Sequence, residues 1–139
     1  AAMGRTQDES TSKPVSFAKG GGVAALTGDQ SCVAEMRAAF RQRRDTIVAR
    51  LNAIPGIACV QPDGAFYAFP NVSGLLSPRL PDGDALAEWL LTEAHLGVVP
   101  GSGFGAPRHL RFSYATSLET IERGMERLAA AAERLRREG

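Results

Sequence analysis

Cysteine is scarce in this chain. Cys32 and Cys59 are the two cysteines in 139 residues, and they fit no metal-ligand spacing. They fall in segments that read as a helix and a strand, so two reduced thiols packed as small hydrophobes are expected, with a disulfide left open by sequence alone. Long apolar runs are missing too. None approaches the ~20 residues that a bilayer-spanning helix needs. The opening Ala1-Ala2-Met3-Gly4-Arg5 has no apolar core of the signal-peptide kind. A cytoplasmic location is expected. There is no excess of charge of either sign: sixteen Lys+Arg against 15 Asp+Glu leave a formal +1, which points to neither nucleic acid nor membrane. Lysine is nearly absent. Fourteen of the sixteen basic residues are arginine, a bias from which no function follows.

What is present reads as one domain's worth of chain. Residues 1–22 are polar and rich in Ser, Thr and Gly, and Gly20-Gly21-Gly22 is expected to loosen any helix there. Residues 1–28 are accordingly expected to form a flexible N-terminal or connecting segment, and residues 29–139 a folded domain. Asp29 offers a helix N-cap. Val33, Met36, Phe40, Ile47 and Leu51 then recur at helical spacing until Pro55-Gly56 ends the helix. Ile57 to Val60 reads as a strand, Pro62-Asp63-Gly64 as a turn, and Ala65 to Phe69 as a second strand able to pair with the first as a hairpin. Gly74, Pro78 and Pro81 mark residues 71–83 as loop. A helix is expected from Asp84, with Leu86, Leu90 and Ala94 on one side, followed by a short strand from Leu96 to Pro100. After Gly101-Ser102-Gly103-Phe104-Gly105, a strand is expected from Leu110 to Tyr114. Thr116 and Glu119 have capping-box spacing ahead of the stripe Ile121, Met125, Leu128, Ala132 and Leu135. The expected class is α+β: a small sheet of about four strands covered by three helices.

Four features invite chemistry. The glycine loop at 101–105 lacks the lysine of a P-loop, does not match the dinucleotide fingerprint, and leads into a strand, so it reads as a tight turn or a close approach. Arg41-Gln42-Arg43-Arg44 spreads around a helix with no interleaved aromatic and reads as a solvated face. Ser12-Lys13-Pro14 pairs a serine with a lysine, but a Schiff-base lysine needs burial and a fixed direction, and this polar segment suggests neither. Arg111 alternates with Leu110, Phe112 and Tyr114. From pattern alone, the apolar set faces the helices and Arg111 faces solvent. No His, Ser and Asp group assembles into a triad.

Several stretches in order carry a family resemblance. They are Ser10-Thr11-Ser12-Lys13-Pro14-Val15-Ser16, Phe40-Arg41-Gln42-Arg43-Arg44-Asp45 and Pro62-Asp63-Gly64-Ala65-Phe66-Tyr67-Ala68-Phe69-Pro70. The most specific is Val99-Pro100-Gly101-Ser102-Gly103-Phe104-Gly105 followed by His109-Leu110-Arg111-Phe112-Ser113-Tyr114-Ala115. From Gln7 to Leu135 the chain resembles the C-terminal small domain of class I, fold-type I aminotransferases, closest to the aspartate aminotransferase branch. The resemblance implies an enzyme that uses pyridoxal 5'-phosphate to move an amino group between an amino acid, expected to be aspartate, and a 2-oxo acid, expected to be 2-oxoglutarate. It implies that Arg111 binds the substrate α-carboxylate and that Phe104 lines the substrate pocket. It also implies a homodimeric intact enzyme with small-molecule substrates and no nucleic-acid or membrane partner.

The departures matter equally. The family's serine, lysine, small-residue stretch leading to glycine, tryptophan and arginine does not occur, and Lys13 aligns where the family usually has asparagine. No catalytic, cofactor-binding or metal-ligating residue is therefore assigned in this chain. The piece by itself is expected to be inactive. Its N-terminal end is expected to be a truncation or an altered joint. The rival readings are a non-catalytic carboxylate-binding module that uses the same Arg111, and a structural α+β domain with no ligand.

Overall fold

The computed structural model describes residues 3, 4, 6, 9 and 15–138. The chain divides into two compact units, Ala1–Met36 and Arg37–Gly139. The Ser12-Lys13-Pro14 segment lies outside the described residues.

In the first unit, helix α1 spans Ser16–Thr27 and ends at Gly28, whose N–H donates to the Ala24 carbonyl. This corrects the expectation for Gly20-Gly21-Gly22, which sit inside α1 and do not interrupt it. Each glycine costs a helix about 0.5–1 kcal/mol relative to alanine, but the ladder itself needs only backbone groups. None of the α1 residues is buried, and Phe17 and Leu26 are both more than 80% exposed. Helix α2, Ser31–Asn52, begins in this unit and continues into the second. Asp29 stands ahead of it and accepts the Ser31 N–H at 3.0 Å as well as the Ser31 hydroxyl, and these bonds hold its carboxyl below the usual range. Val33 and Met36, expected on the buried stripe of α2, are exposed; burial starts further along, at Ile47, Val48 and Leu51.

The second unit is the α+β layer. Its remaining elements are β1 (Tyr67–Ala68), a 3-10 turn at Ser73–Leu75, α3 (Gly83–Glu93), β2 (Val99–Pro100), a 3-10 turn at Gly101–Phe104, β3 (Leu110–Ser113) and α4 (Leu118–Glu138). The sheet has three strands in the order β1-β3-β2, antiparallel throughout. Tyr67 stands opposite Ser113, and Val99 opposite Arg111. Leu110 and Phe112 turn into a core completed by Leu51 of α2, Leu86 and Leu90 of α3, and Leu128 of α4.

Three local expectations change. Residues 57–60 form no strand and no hairpin with 65–69. Ala58 makes a single antiparallel bridge to Asn71. The Asn52 side chain occupies the Cys59 backbone, its Oδ1 accepting the N–H at 2.8 Å and its Nδ2 donating to the carbonyl at 2.9 Å, so that residue has no ladder to join. The cap of α4 is Ser117 and not Thr116: the Ser117 hydroxyl accepts the Thr120 N–H at 3.2 Å, while Glu119 reaches forward to Arg123. Helix α3 is capped by Asp82, whose carboxylate accepts the Ala85 N–H at 2.9 Å. Gly56 has φ +93° and lies against Gly74, where an added Cβ would stand 2.4 Å from the Gly56 Cα. Only glycine allows these two backbones to meet.

Candidate functional site

The alternation of β3 sets the site. Leu110 and Phe112 are buried on the helix side, so Arg111 and Ser113 occupy the opposite face. Tyr67, opposite Ser113, shares that face, and Val99, opposite Arg111, lies beside it. Arg111 is half-buried.

The glycine loop is built to bring one more ring to this face. The Gly101 N–H donates to the His109 carbonyl at 2.8 Å, the Ala106 N–H to the Gly101 carbonyl at 3.0 Å, and the Gly105 N–H to the Ser102 carbonyl at 2.9 Å. A Cβ at Gly101 would stand 2.3 Å from the Ala106 carbonyl oxygen, so the turn can close only around glycine. Gly105 takes φ +74°. The Ser102 hydroxyl donates to the Asp84 carboxylate at 2.8 Å, which ties the loop to the first turn of α3. Phe104, 54% exposed, is thereby placed with its ring centroid 4.7 Å from the Arg111 guanidinium carbon. The Tyr67 ring lies 4.4 Å from the same atom. Phe104 stands edge-on to Phe69 at 6.0 Å, and Phe69 stacks on His109 at 5.1 Å. His109 Nδ1 is buried with no hydrogen-bond partner among the described residues.

Among the described residues Arg111 makes no ion pair and no side-chain hydrogen bond. Its contacts are the two rings. The guanidinium fork is therefore free to take a planar anion through two parallel N–H bonds, a geometry lysine cannot copy. Arg111 and Phe104, singled out by sequence, are brought together at one face. Tyr67, Phe69 and His109 were not singled out for the site. The signal for Tyr67 and Phe69 is that they lie two apart, Tyr67 in β1 and Phe69 just past its end, but its value depends on the register of the pairing with β3.

The other candidates lie elsewhere. In the 41–44 run, the Arg44 guanidinium is bound by Asp45 at 2.7 Å and Arg43 covers the Phe40 ring at 5.0 Å, while Arg41 is exposed. Both cysteines are free thiols, Cys32 exposed and Cys59 buried. Among the described residues no three His, Cys, Asp or Glu side chains gather as a metal site, and no helix is long and apolar enough to cross a membrane. Residues 37–139 contain no lysine at all, and Lys19 is exposed on α1. The described residues thus offer no amine placed for a Schiff base and do not fit pyridoxal phosphate as a holding set.

Comparison with known proteins gives a consistent result. The family model for class I and II aminotransferases matches residues 3–128. An aspartate aminotransferase of Bacillus subtilis (strain 168) is 45% identical over 134 residues, which cover 96% of this chain and 34% of the relative. An aspartate aminotransferase of Rhizobium meliloti (strain 1021) is 42% identical over 140 residues, with 96% and 34% covered. The crystal structure of the aspartate aminotransferase from Rhizobium meliloti matches with a TM-score of 0.87 at 41% identity, over 96% of this chain and 35% of that one. That of the aromatic aminotransferase from Pyrococcus horikoshii OT3 matches with 0.80 at 34% identity, over 94% and 35%. The chain spans about a third of the length of the curated relatives it matches.

Proposed function

The chain belongs to the class I and II aminotransferase family, and from that premise we propose that its second unit supplies the carboxylate-binding side of a transamination site. Arg111 grips the α-carboxylate of the substrate, and Phe104 lines the pocket beside it. The substrates are aspartate and 2-oxoglutarate, in a cytoplasmic homodimer that carries pyridoxal phosphate. That cofactor, when bound, supplies the electron sink for amino-group transfer. The described residues offer no set that would hold it, so the chemistry assigned to them is binding and orientation. A carboxylate fixed at two points leaves the substrate little rotational freedom, which is a positioning contribution to rate.

One observation carries the reading: the Arg111 fork has no anionic or carbonyl partner among the described residues, on a face ringed by Tyr67, Phe69 and Phe104. What sets Arg111 apart is that its half-buried guanidinium meets two rings at once, whereas Arg44 is tied to Asp45 and Arg134 to Glu93. The test is calorimetry of the 139-residue chain with aspartate and with 2-oxoglutarate. Arg111→Lys keeps the charge and loses the fork, and it is expected to weaken binding about tenfold or more, the scale of a lost charge-assisted bond. Equal binding by wild type and Arg111→Lys would overturn the assignment. In the same sample pyridoxal phosphate is expected to give no imine absorbance band that borohydride abolishes. Such a band would show that the chain holds the cofactor after all.

The second reading, a carboxylate-binding module without catalysis, makes the same use of Arg111. It is favoured by the lack of any lysine in residues 37–139. Joining the chain to the remaining two thirds of a relative separates the two: restored transamination supports the first.

A further inference from the structure

An arginine can be held still in two ways. A carboxylate partner holds it strongly but occupies the fork that a ligand needs. An aromatic face attracts the cation through its quadrupole and leaves every N–H unused. Arg111 is held in the second way, with ring centroids at 4.4 Å (Tyr67) and 4.7 Å (Phe104) from its guanidinium carbon. The rings come from different parts of the chain, one from the strand beside β3 and one from the glycine loop. Each is supported from behind. Tyr67 packs on Phe66 at 4.4 Å, and Phe104 meets the edge of Phe69, which stacks on His109. The loop that carries Phe104 is pinned to α3 by Ser102 and Asp84. An exposed phenylalanine is thus fixed by its surroundings at the point where it touches the cation.

We propose that Tyr67 and Phe104 are positioning residues that fix the plane of the Arg111 guanidinium without consuming its hydrogen-bond donors, and so present a preformed fork to the carboxylate. The role rests on the reading that Arg111 binds a carboxylate. Because the fork is preoriented, less side-chain freedom is lost on binding, and affinity rises without a new contact to the ligand.

The test has two readouts on the 139-residue chain. One is the rate of rotation about the Nε–Cζ bond of Arg111, measured by 15N NMR and assigned by its loss in Arg111→Lys. The other is the affinity for 2-oxoglutarate. Phe104→Leu removes a ring that is more than half exposed, so the core is untouched. Tyr67→Leu removes the other, and Tyr67→Phe restores that ring without its hydroxyl. Each Leu variant is expected to speed rotation and to weaken binding about two- to fivefold, the size of an exposed cation–π contact. Tyr67→Phe is expected to match wild type in both. Rotation in both Leu variants as slow as in wild type overturns the proposal even if 2-oxoglutarate still binds. Faster rotation with unchanged affinity overturns it too, because the rings then hold the cation to no effect on binding. No 2-oxoglutarate binding by wild type, with rotation accelerated in the Leu variants, sinks the carboxylate reading and with it the proposed role, while leaving the ring contacts real. The three failures are told apart by which readout moves.

Discussion

Consecutive residues of β3 have opposite surroundings. Leu110 and Phe112 face the helices and are almost wholly enclosed. Arg111, between them, and Ser113 face away, toward rings that are themselves partly exposed. The helix side is closed: the Leu, Ile and Met side chains of α2, α3 and α4 cover it, and burying them stabilises the fold. The outer side is unfinished. Phe69, Val99 and Phe104 are each between 37% and 54% exposed, beside a cation with no anion among the described residues. Contiguous exposed apolar patches rimmed by polar groups commonly mark interaction or ligand sites. One strand thus separates the part that folds from the part proposed to bind.

The sharpest way to break that comparison is to truncate neighbours on opposite sides. Phe112→Ala is expected to cost about 3–5 kcal/mol of folding free energy, as for other buried phenylalanines. Arg111→Ala, one residue away, is expected to cost less than about 1 kcal/mol, since it loses only partly solvated ring contacts. Chemical denaturation of both variants measures the difference. Equal losses would mean that the outer face is as tightly packed as the inner one. A smaller effect is expected from Gly101→Ala, which belongs to both sides. Its Cβ meets the Ala106 and His109 carbonyl oxygens at 2.3 and 2.7 Å, so backbone must move. A cost of about 1–3 kcal/mol is expected. Because the same turn aims Phe104, the Arg111 signals should shift in the NMR spectrum as well. Unchanged Arg111 signals in this variant would show that the loop does not set the cation's surroundings.

Much of the closed side was legible in the sequence, because its signals are local. The α4 stripe of Ile121, Met125 and Leu128 follows helical spacing and is buried, and the alternation of β3 separates Leu110 and Phe112 from Arg111 as read. What could not be read depends on partners distant in sequence or on a choice between equivalent neighbours. Residues 57–60 have the composition of a strand, but Asn52 takes the Cys59 backbone first. Thr116 and Ser117 are adjacent hydroxyls, and only the register of the first turn decides that Ser117 caps. For α1, the propensity of three glycines argued against a helix that the backbone nonetheless forms. At the site, Arg111 and Phe104 were named by resemblance and not by pattern. The ring of Tyr67 was missed because its meeting with Arg111 depends on pairing Tyr67 with Ser113, forty-six positions along the chain. Cross-strand register is a property of the folded sheet and leaves no trace in either segment alone.

The mildest perturbation tests how dry the closed side is. Burial pushes the Cys59 thiol above its ordinary value of 9.0, and burial pushes the Tyr114 phenol above its ordinary value of 10.0. In each case the native state keeps a proton that the unfolded chain has begun to release. Above the unfolded value the native state therefore binds more protons, and stability falls as pH rises. The stability measured at neutral pH should hold up to about pH 9, and then decline through the Cys59 range before Tyr114 adds to the loss above about pH 10. One such group sets a ceiling near 1.4 kcal/mol per pH unit. Cys59→Ala should remove the earlier part of the decline and leave the later part. Denaturant titrations in reducing buffer between pH 7.5 and 10.5 measure it. Parallel curves for wild type and Cys59→Ala across the pH 9 region would mean that water reaches the thiol, and that the contrast between the two faces of β3 is weaker than their burial indicates.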